Sequence, residues 1–220
     1  MINALHALNG ERVTKYALAT EAAAIELDVL ERSMGKQDHF AAAYGSFNVY
    51  TFNADETVTV EPVYYDPDVV ESLNSSLMLF YMGDQRDASG VLKAQAAVAD
   101  EKQGVLSAMC DMVDPMVEIL SGRGDLSDVG PMLHESWMLK RSITEQVSND
   151  EIDTAYGRAM EAGAAGGKLA GAGGGGFLMF FVEPSRQQEV ATALTGMPFI
   201  KPRFDTAGSR ITYYEPDRLV

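Results

Sequence analysis

The sequence predicts an α+β fold with helices packed on one face of an antiparallel sheet. Three observations carry this. From Leu77 onward the chain reads as strand, three helices, strand, helix, strand, which is not the regular βα alternation of a parallel sheet. "LMLFYM" at 77–82 and "FLMFFV" at 177–182 are short apolar runs of the length and composition of buried strands. The second is entered directly from "GAGGGG", a stretch too permissive in backbone conformation to be helix.

Taken in order, Ile2, Leu5 and Leu8 share a helical face and Asn9-Gly10 closes that helix. Met1 is not a capping residue, so the segment reads as the middle of a helix. A Thr14 cap opens a second helix with an apolar stripe at Leu18, Ala22, Ile25 and Val29, expected to run to about Ser33 before Gly35 breaks it. Gln37, Asp38 and His39 form a polar cluster expected in a turn. Phe47–Phe52 and Thr57–Glu61 alternate as two strands joined at Asn53–Glu56. Asp66-Pro67 reads as a linker, dividing the chain into 1–66 and 67–220. Beyond "LMLFYM" and the polar loop "GDQRDAS", a long helical stretch runs from Ser89 toward Leu120 with a kink near Pro115. Pro131 opens a helix containing "LHESWMLKR". Asn149 or Asp150 caps a helix through Glu161 that Gly163 ends. A helix from Pro184 to about Leu194 and a final strand over about Arg210–Tyr214 complete the pattern.

A net charge of −15 over 220 residues repels phosphate backbones, so no nucleic-acid partner is expected. No apolar run approaches the ~20 residues that span a bilayer, and no basic-then-apolar leader opens the chain, so no membrane partner is expected either. Cys110 is the only cysteine, which excludes an intrachain disulfide and a cysteine-rich metal site and suits a reducing cytoplasm. In its apolar context, "LSAMCDMV", it is expected to be a core thiol. His6 and His134 have no ligand partner at helical spacing, so no zinc site is expected.

Several residues could carry chemistry. The glycine run admits three readings: a flexible linker, a tight turn, or a loop whose N–H groups cradle an anion. It is not a Walker-type loop, because no Gly-Lys-Ser/Thr follows. Asp38 could act as a general base or satisfy backbone donors in a turn. Arg86, just past an apolar strand, could grip a phosphate or pair with Asp84 or Asp87. Lys140 and Arg141 are adjacent on a helix and diverge by roughly 100°, so they do not face one ligand together.

In one order, "GKQDHFAAAYGSFN", "LFYMGDQRDAS", "WMLKR", "GAAGGKLAGAGGGGFLMFFV" and "FDTAGSRITYY" resemble the GHMP superfamily of small-molecule kinases, and within it the heptose 7-phosphate kinases. The resemblance covers nearly the whole chain. It implies a remnant of a ribosomal-S5-like amino-terminal domain over 1–66 and a ferredoxin-like carboxy-terminal domain over 67–220. It implies ATP as phosphoryl donor with Mg2+, and a sugar phosphate accepting at its anomeric hydroxyl. Asp38 matches the acidic residue beside that hydroxyl. Gly173, Gly174 and Gly175 match the third-motif loop near the phosphates. Gln37, Arg86 and Lys140 are the candidates for contact with the sugar or its phosphate, and no residue is assigned to a metal.

The family's Gly-Leu-Gly-Ser-Ser motif, which opens a helix that holds the ATP phosphates, is not among the 220 residues. The chain is therefore expected to be an amino-terminally truncated kinase, inactive alone, whose open sheet edge a homodimer covers. The alternative is a non-catalytic sugar-phosphate-binding or partner-binding module derived from such a kinase.

Overall fold

The computed structural model describes residues 1–83 and 88–215. The chain divides into two compact units, Met1–Pro62 with the segment from Phe204, and Val63–Arg203. The return of the C-terminal segment to the first unit has no signature in the linear pattern, which suggested one cut after 66.

The first unit comprises α1 (Ile2–Leu8), α2 (Lys15–Ala24), a π-helical turn (Ile25–Val29), α3 (Gln37–Tyr44) and the hairpin β1 (Asn48–Phe52) and β2 (Val58–Pro62). The Thr14 hydroxyl accepts from the Ala17 amide, capping α2 as the sequence predicts. The helix does not reach Ser33. Leu18, Ala19 and Ala23 are buried, but Val29 and Leu30 stay exposed. Gln37–His39 is not a turn: it is the start of α3. The residues that follow bury Phe40 and Ala43, and an acidic residue in a first helical turn complements the helix dipole. Leu18, Ala19, Phe40, Ala43 and Val58 form the core of this unit. The Phe40 ring lies 5.6–6.5 Å from those of Tyr16, Tyr44, Tyr50 and Phe52. The chain end is tied to α3: the Ser46 amide donates to the Asp205 carbonyl at 2.8 Å, and the Lys15 ammonium to the carbonyls of Tyr44 and Ala207 at 2.6 and 3.1 Å. Arg210–Tyr214 is not a strand; it is irregular backbone following this tie.

The second unit opens with α4 (Pro67–Ser76), where the sequence reading placed a linker. Asp66 is an N-cap accepting from the Asp68 amide at 2.8 Å, and Pro67 occupies the first helical position, where its missing N–H costs nothing. Then follow β3 (Leu77–Tyr81), α5 (Ala88–Ala97), α6 (Gln103–Cys110), α7 (Val113–Leu120) and α8 (Val129–Arg141). After these come α9 (Asp150–Glu161), β4 (Gly166–Leu169), β5 (Phe177–Phe181), α10 (Gln187–Ala193) and β6 (Phe199–Ile200). The expected long kinked helix is three helices, with Pro115 in the tolerant first turn of α7. Cys110 is exposed rather than a core thiol, because α6 fully buries none of its residues. Asn149 caps α9 by accepting from the Ile152 amide, and Gly163 ends it at φ +106°.

The sheet order is β4-β5-β3-β6, with every neighbouring pair antiparallel. With helices between β3 and β4 and between β5 and β6, this is the ferredoxin-like β-α-β-β-α-β arrangement. Two strands differ from expectation. β4 is additional, hidden by its opening Gly-Gly, and the last strand is Phe199–Ile200 rather than Arg210–Tyr214. On one sheet face Met78, Phe80, Leu169, Leu178 and Phe180 pack with Trp137, Ile152, Tyr156 and Val190 into the core of this unit. Helix α8 crosses the edge strand β4 without intervening side chains, since a Cβ on Gly166 would lie 1.8 Å from the Gly130 carbonyl oxygen.

Gly166→Ala is expected to lower stability by at least ~2 kcal/mol through this overpacking. Gly104→Ala, on open surface of α6, is expected to be neutral or stabilising by up to ~1 kcal/mol. Urea midpoints of the two variants check the pair, and equal midpoints would contradict the packing.

Candidate functional site

The glycine run is the loop of a β-hairpin, joining β4 to its antiparallel neighbour β5. It is not a linker. At Gly173, φ is +132° and a Cβ would lie 2.9 Å from Val147 Cα, so both conformation and space require glycine. The Gly174 amide donates to the Val147 carbonyl at 3.0 Å, and Gln95 Nε2 donates to the Ala172 carbonyl at 3.1 Å. Part of the glycine content is thus explained by packing against the chain itself. Gly174 and Gly175 also line a pocket of about 300 Å³ with Met82 and the first turn of α9, Asn149 to Ile152.

The base of the loop has different chemistry. Lys140, in the last turn of α8, donates from its ammonium to the Gly171 carbonyl. Burial, and then the charge of Lys168, push its pKa down to about 8. Lys168 lies on β4 and burial lowers its pKa as well. The sequence reading did not assign Lys168, although it stands at the head of the glycine motif. Side chains alternate along a strand, so Lys168 lies on the same face of β4 as Gly166, opposite to Leu169, which packs in the core.

Arg141 points elsewhere, as its adjacency to Lys140 predicts. Its guanidinium donates to Asp153 at 2.6 Å and lies 5.9 Å from the centre of the Trp137 ring. Tyr156 is a further polar group in this region. Its hydroxyl donates to the Gly167 carbonyl at 3.1 Å and lies 2.8 Å from His134 Nδ1, and burial pushes its pKa up to about 12. It fastens α9 to α8 and β4.

In the first unit, Gln37 and Asp38 are exposed at the start of α3, and Asp38 makes no side-chain hydrogen bond or ion pair among the described residues. His6 is held between Glu11 and Glu21 at 2.5 and 2.6 Å, and hydrogen bonding to Glu21 and then Glu11 raises its pKa. Arg86 lies outside the described residues. Among the described residues no three His, Cys, Asp or Glu side chains are grouped to hold a metal ion, so no step is assigned to Mg2+.

Residues 101–197, from α6 to the end of α10, match the family described as GHMP kinases C terminal. The chain carries a GHMP kinase C-terminal domain. This stretch holds Lys140, Lys168, the glycine loop and the pocket beside it. A D-glycero-alpha-D-manno-heptose 7-phosphate kinase of Campylobacter jejuni is 32% identical over 183 residues, 82% of this chain and 53% of that protein. A mevalonate kinase of Pyrococcus horikoshii is 31% identical over 216 residues, 96% of this chain and 61% of its own length. Among solved structures, a D-glycero-D-manno-heptose 1-phosphate kinase from Bacteroides thetaiotaomicron superposes with a TM-score of 0.66 at 27% identity. That match covers 94% of this chain and 58% of the kinase. The chain thus spans between half and two thirds of the length of these GHMP kinases, and its fold is theirs.

Because the folded-state pKa of Lys140 lies near 8 and its ordinary value is 10.5, the unfolded chain binds more protons between these limits. Stability contributed by this residue therefore rises with pH from about 8 toward 10.5. Urea titrations of wild type and Lys140→Met across that window check it: the rise is expected to be smaller in the variant, and parallel profiles would contradict it.

Proposed function

We propose that this protein is an ATP-dependent sugar-phosphate kinase that phosphorylates the anomeric hydroxyl of a heptose 7-phosphate. One observation supports this above others: the similarity, at 32% and 27% identity, to kinases of heptose phosphates. In this reading Asp38 orients the acceptor hydroxyl or takes its proton. The hydroxyl oxygen bonds to the γ-phosphorus, the bridging bond to ADP breaks, and ADP leaves with the electron pair. Such transfer depends on positioning and charge stabilisation more than on a strong base, so an exposed aspartate suffices. Gly173, Gly174 and Gly175 stand near the phosphates, while Gln37, Arg86 and Lys140 contact the sugar or its phosphate.

The Gly-Leu-Gly-Ser-Ser motif is not among the 220 residues, and with it go donors worth several kcal/mol to the transition state. The 220-residue polypeptide by itself is therefore proposed to transfer phosphate little or not at all. The second reading is a non-catalytic sugar-phosphate-binding or partner-binding module derived from such a kinase. A homodimer covering the open β1–β2 edge belongs to the same proposal, supported by the exposed Phe52.

Calorimetry with heptose 7-phosphate and with ATP, each alone, combined with a coupled assay for ADP, separates these readings. Sugar-phosphate binding with little turnover is the result expected. Absence of sugar-phosphate binding would contradict both readings. Substantial turnover would overturn the proposed inactivity, and Asp38→Asn is then expected to lower kcat by at least ~100-fold with KM nearly unchanged.

A further inference from the structure

We infer that α1 is a pH-gated latch, docked on α2 while His6 is an imidazolium held between Glu11 and Glu21, and released when His6 loses its proton. The geometry of the ring carries this. Nδ1 lies 2.5 Å from a carboxylate oxygen of Glu11, and Nε2 lies 2.6 Å from one of Glu21. An ionised carboxylate accepts hydrogen bonds and donates none, so both ring nitrogens must donate. Only the imidazolium carries two N–H groups. A neutral ring carries one, and its other nitrogen would set a lone pair against a carboxylate oxygen. The three residues come from the last turn of α1, the link that follows it and α2, so the clamp fastens one helix to the next. The other two histidines lack this arrangement. His134 Nδ1 faces the Tyr156 hydroxyl, and His39 Nδ1 is buried with no hydrogen-bond partner among the described residues.

Little else holds α1 in place. It fully buries none of its residues, and Leu5 and Leu8 are exposed. Ile2 packs at the margin of the core of Leu18, Ala19, Phe40, Ala43 and Val58, and Asn3 Nδ2 donates to the Ser209 hydroxyl at 3.1 Å. The link to α2 turns at Gly10, with φ +73° and open space beside it, which gives the release a hinge. The charges that bear on the ring are the two carboxylates, Glu21 before Glu11. No other charged side chain lies on α1. Lys15, the one basic residue of α2, is engaged with the carbonyls of Tyr44 and Ala207, and Arg12 in the link enters no ion pair among the described residues. His6 in the folded chain therefore holds its proton above the ordinary value of 6.5. The stability that the clamp contributes is complete below 6.5 and is lost as pH rises through the folded-state value. Release withdraws Ile2 from the core of this unit and leaves α2 in place.

None of this rests on the kinase reading. NMR of the intact chain tests it, from below pH 6.5 to above the His6 titration. The histidine C2 protons report protonation, with His6→Gln assigning the His6 signal. The Ile2 methyl groups, beside the rings of Tyr44 and Tyr50 at the margin of the same core, report docking through their ring-current shift. His6 is expected to titrate above 6.5, and Glu21→Gln to lower that value more than Glu11→Gln. The ratio of docked to released α1 is expected to fall about tenfold for each pH unit that separates the His6 titration from 6.5. Amides of α2 are expected to keep their hydrogen-exchange protection throughout. In His6→Gln, shown to be folded by circular dichroism, the Ile2 signal is expected not to move with pH. A His6 that titrates at or below 6.5 overturns the clamp. An Ile2 signal that stays in place while His6 titrates overturns the latch, as does a pH step that survives in His6→Gln. Loss of α2 protection together with the Ile2 shift also overturns it, since the unit would then be unfolding rather than releasing one helix.

Discussion

The close approach of α8 to β4 is the constraint on which this region of the protein depends. Gly130 and Gly166 meet backbone to backbone, at a separation that no side chain permits. A β-carbon at either position would force the helix away from the sheet edge and loosen the core that Trp137 shares with Tyr156 and Phe180. At the other end of the same helix, the Lys140 ammonium donates to the Gly171 carbonyl and ties α8 to the base of the hairpin loop. A second close approach, Gly173 against Val147, fixes the far side of the loop. Between these two contacts the polyglycine segment is held rather than free. Its backbone groups are therefore pre-positioned, which lowers the ordering cost of any ligand that binds there.

The glycines thus have two roles that composition alone does not separate. Some positions exclude a side chain because the protein's own backbone passes there. Others leave open the base of the loop and the edge of the pocket beside Gly175. A hairpin loop of this kind combines a rigid frame with accessible backbone.

Much of the second unit was legible in the sequence, because its strongest signals are local. The apolar runs at 77–82 and 177–182 became β3 and β5, the Asn149 cap and Gly163 stop bounded α9, and the divergence of Lys140 from Arg141 followed from helical geometry alone. What was missed depends on context that a linear pattern does not carry. β4 begins with two glycines and reads as loop, yet the antiparallel ladder to β5 makes it a strand. Asp66-Pro67 reads equally as a linker and as a helix start, and only the packing of the residues that follow decides. Cys110 lies in an apolar segment whose helix happens to bury nothing completely. The partial burial of Lys168 is not legible in sequence, because it follows from the pairing of β4 with β5. In the first unit the segment at Asp38 reads as a turn but is the start of α3, since a polar first helical turn and a polar loop look alike in sequence.

The most direct measurement is an NMR titration of the lysine ε-methylene groups in labelled protein, with Lys140→Met and Lys168→Met providing assignments. In the free protein Lys140 is expected to titrate near 8, through partial burial and then the charge of Lys168, and Lys168 below the ordinary lysine value through partial burial. Two lysines that titrate near 10.5 would contradict the claim that α8 and β4 hold both amines in partly buried positions at the base of the hairpin loop.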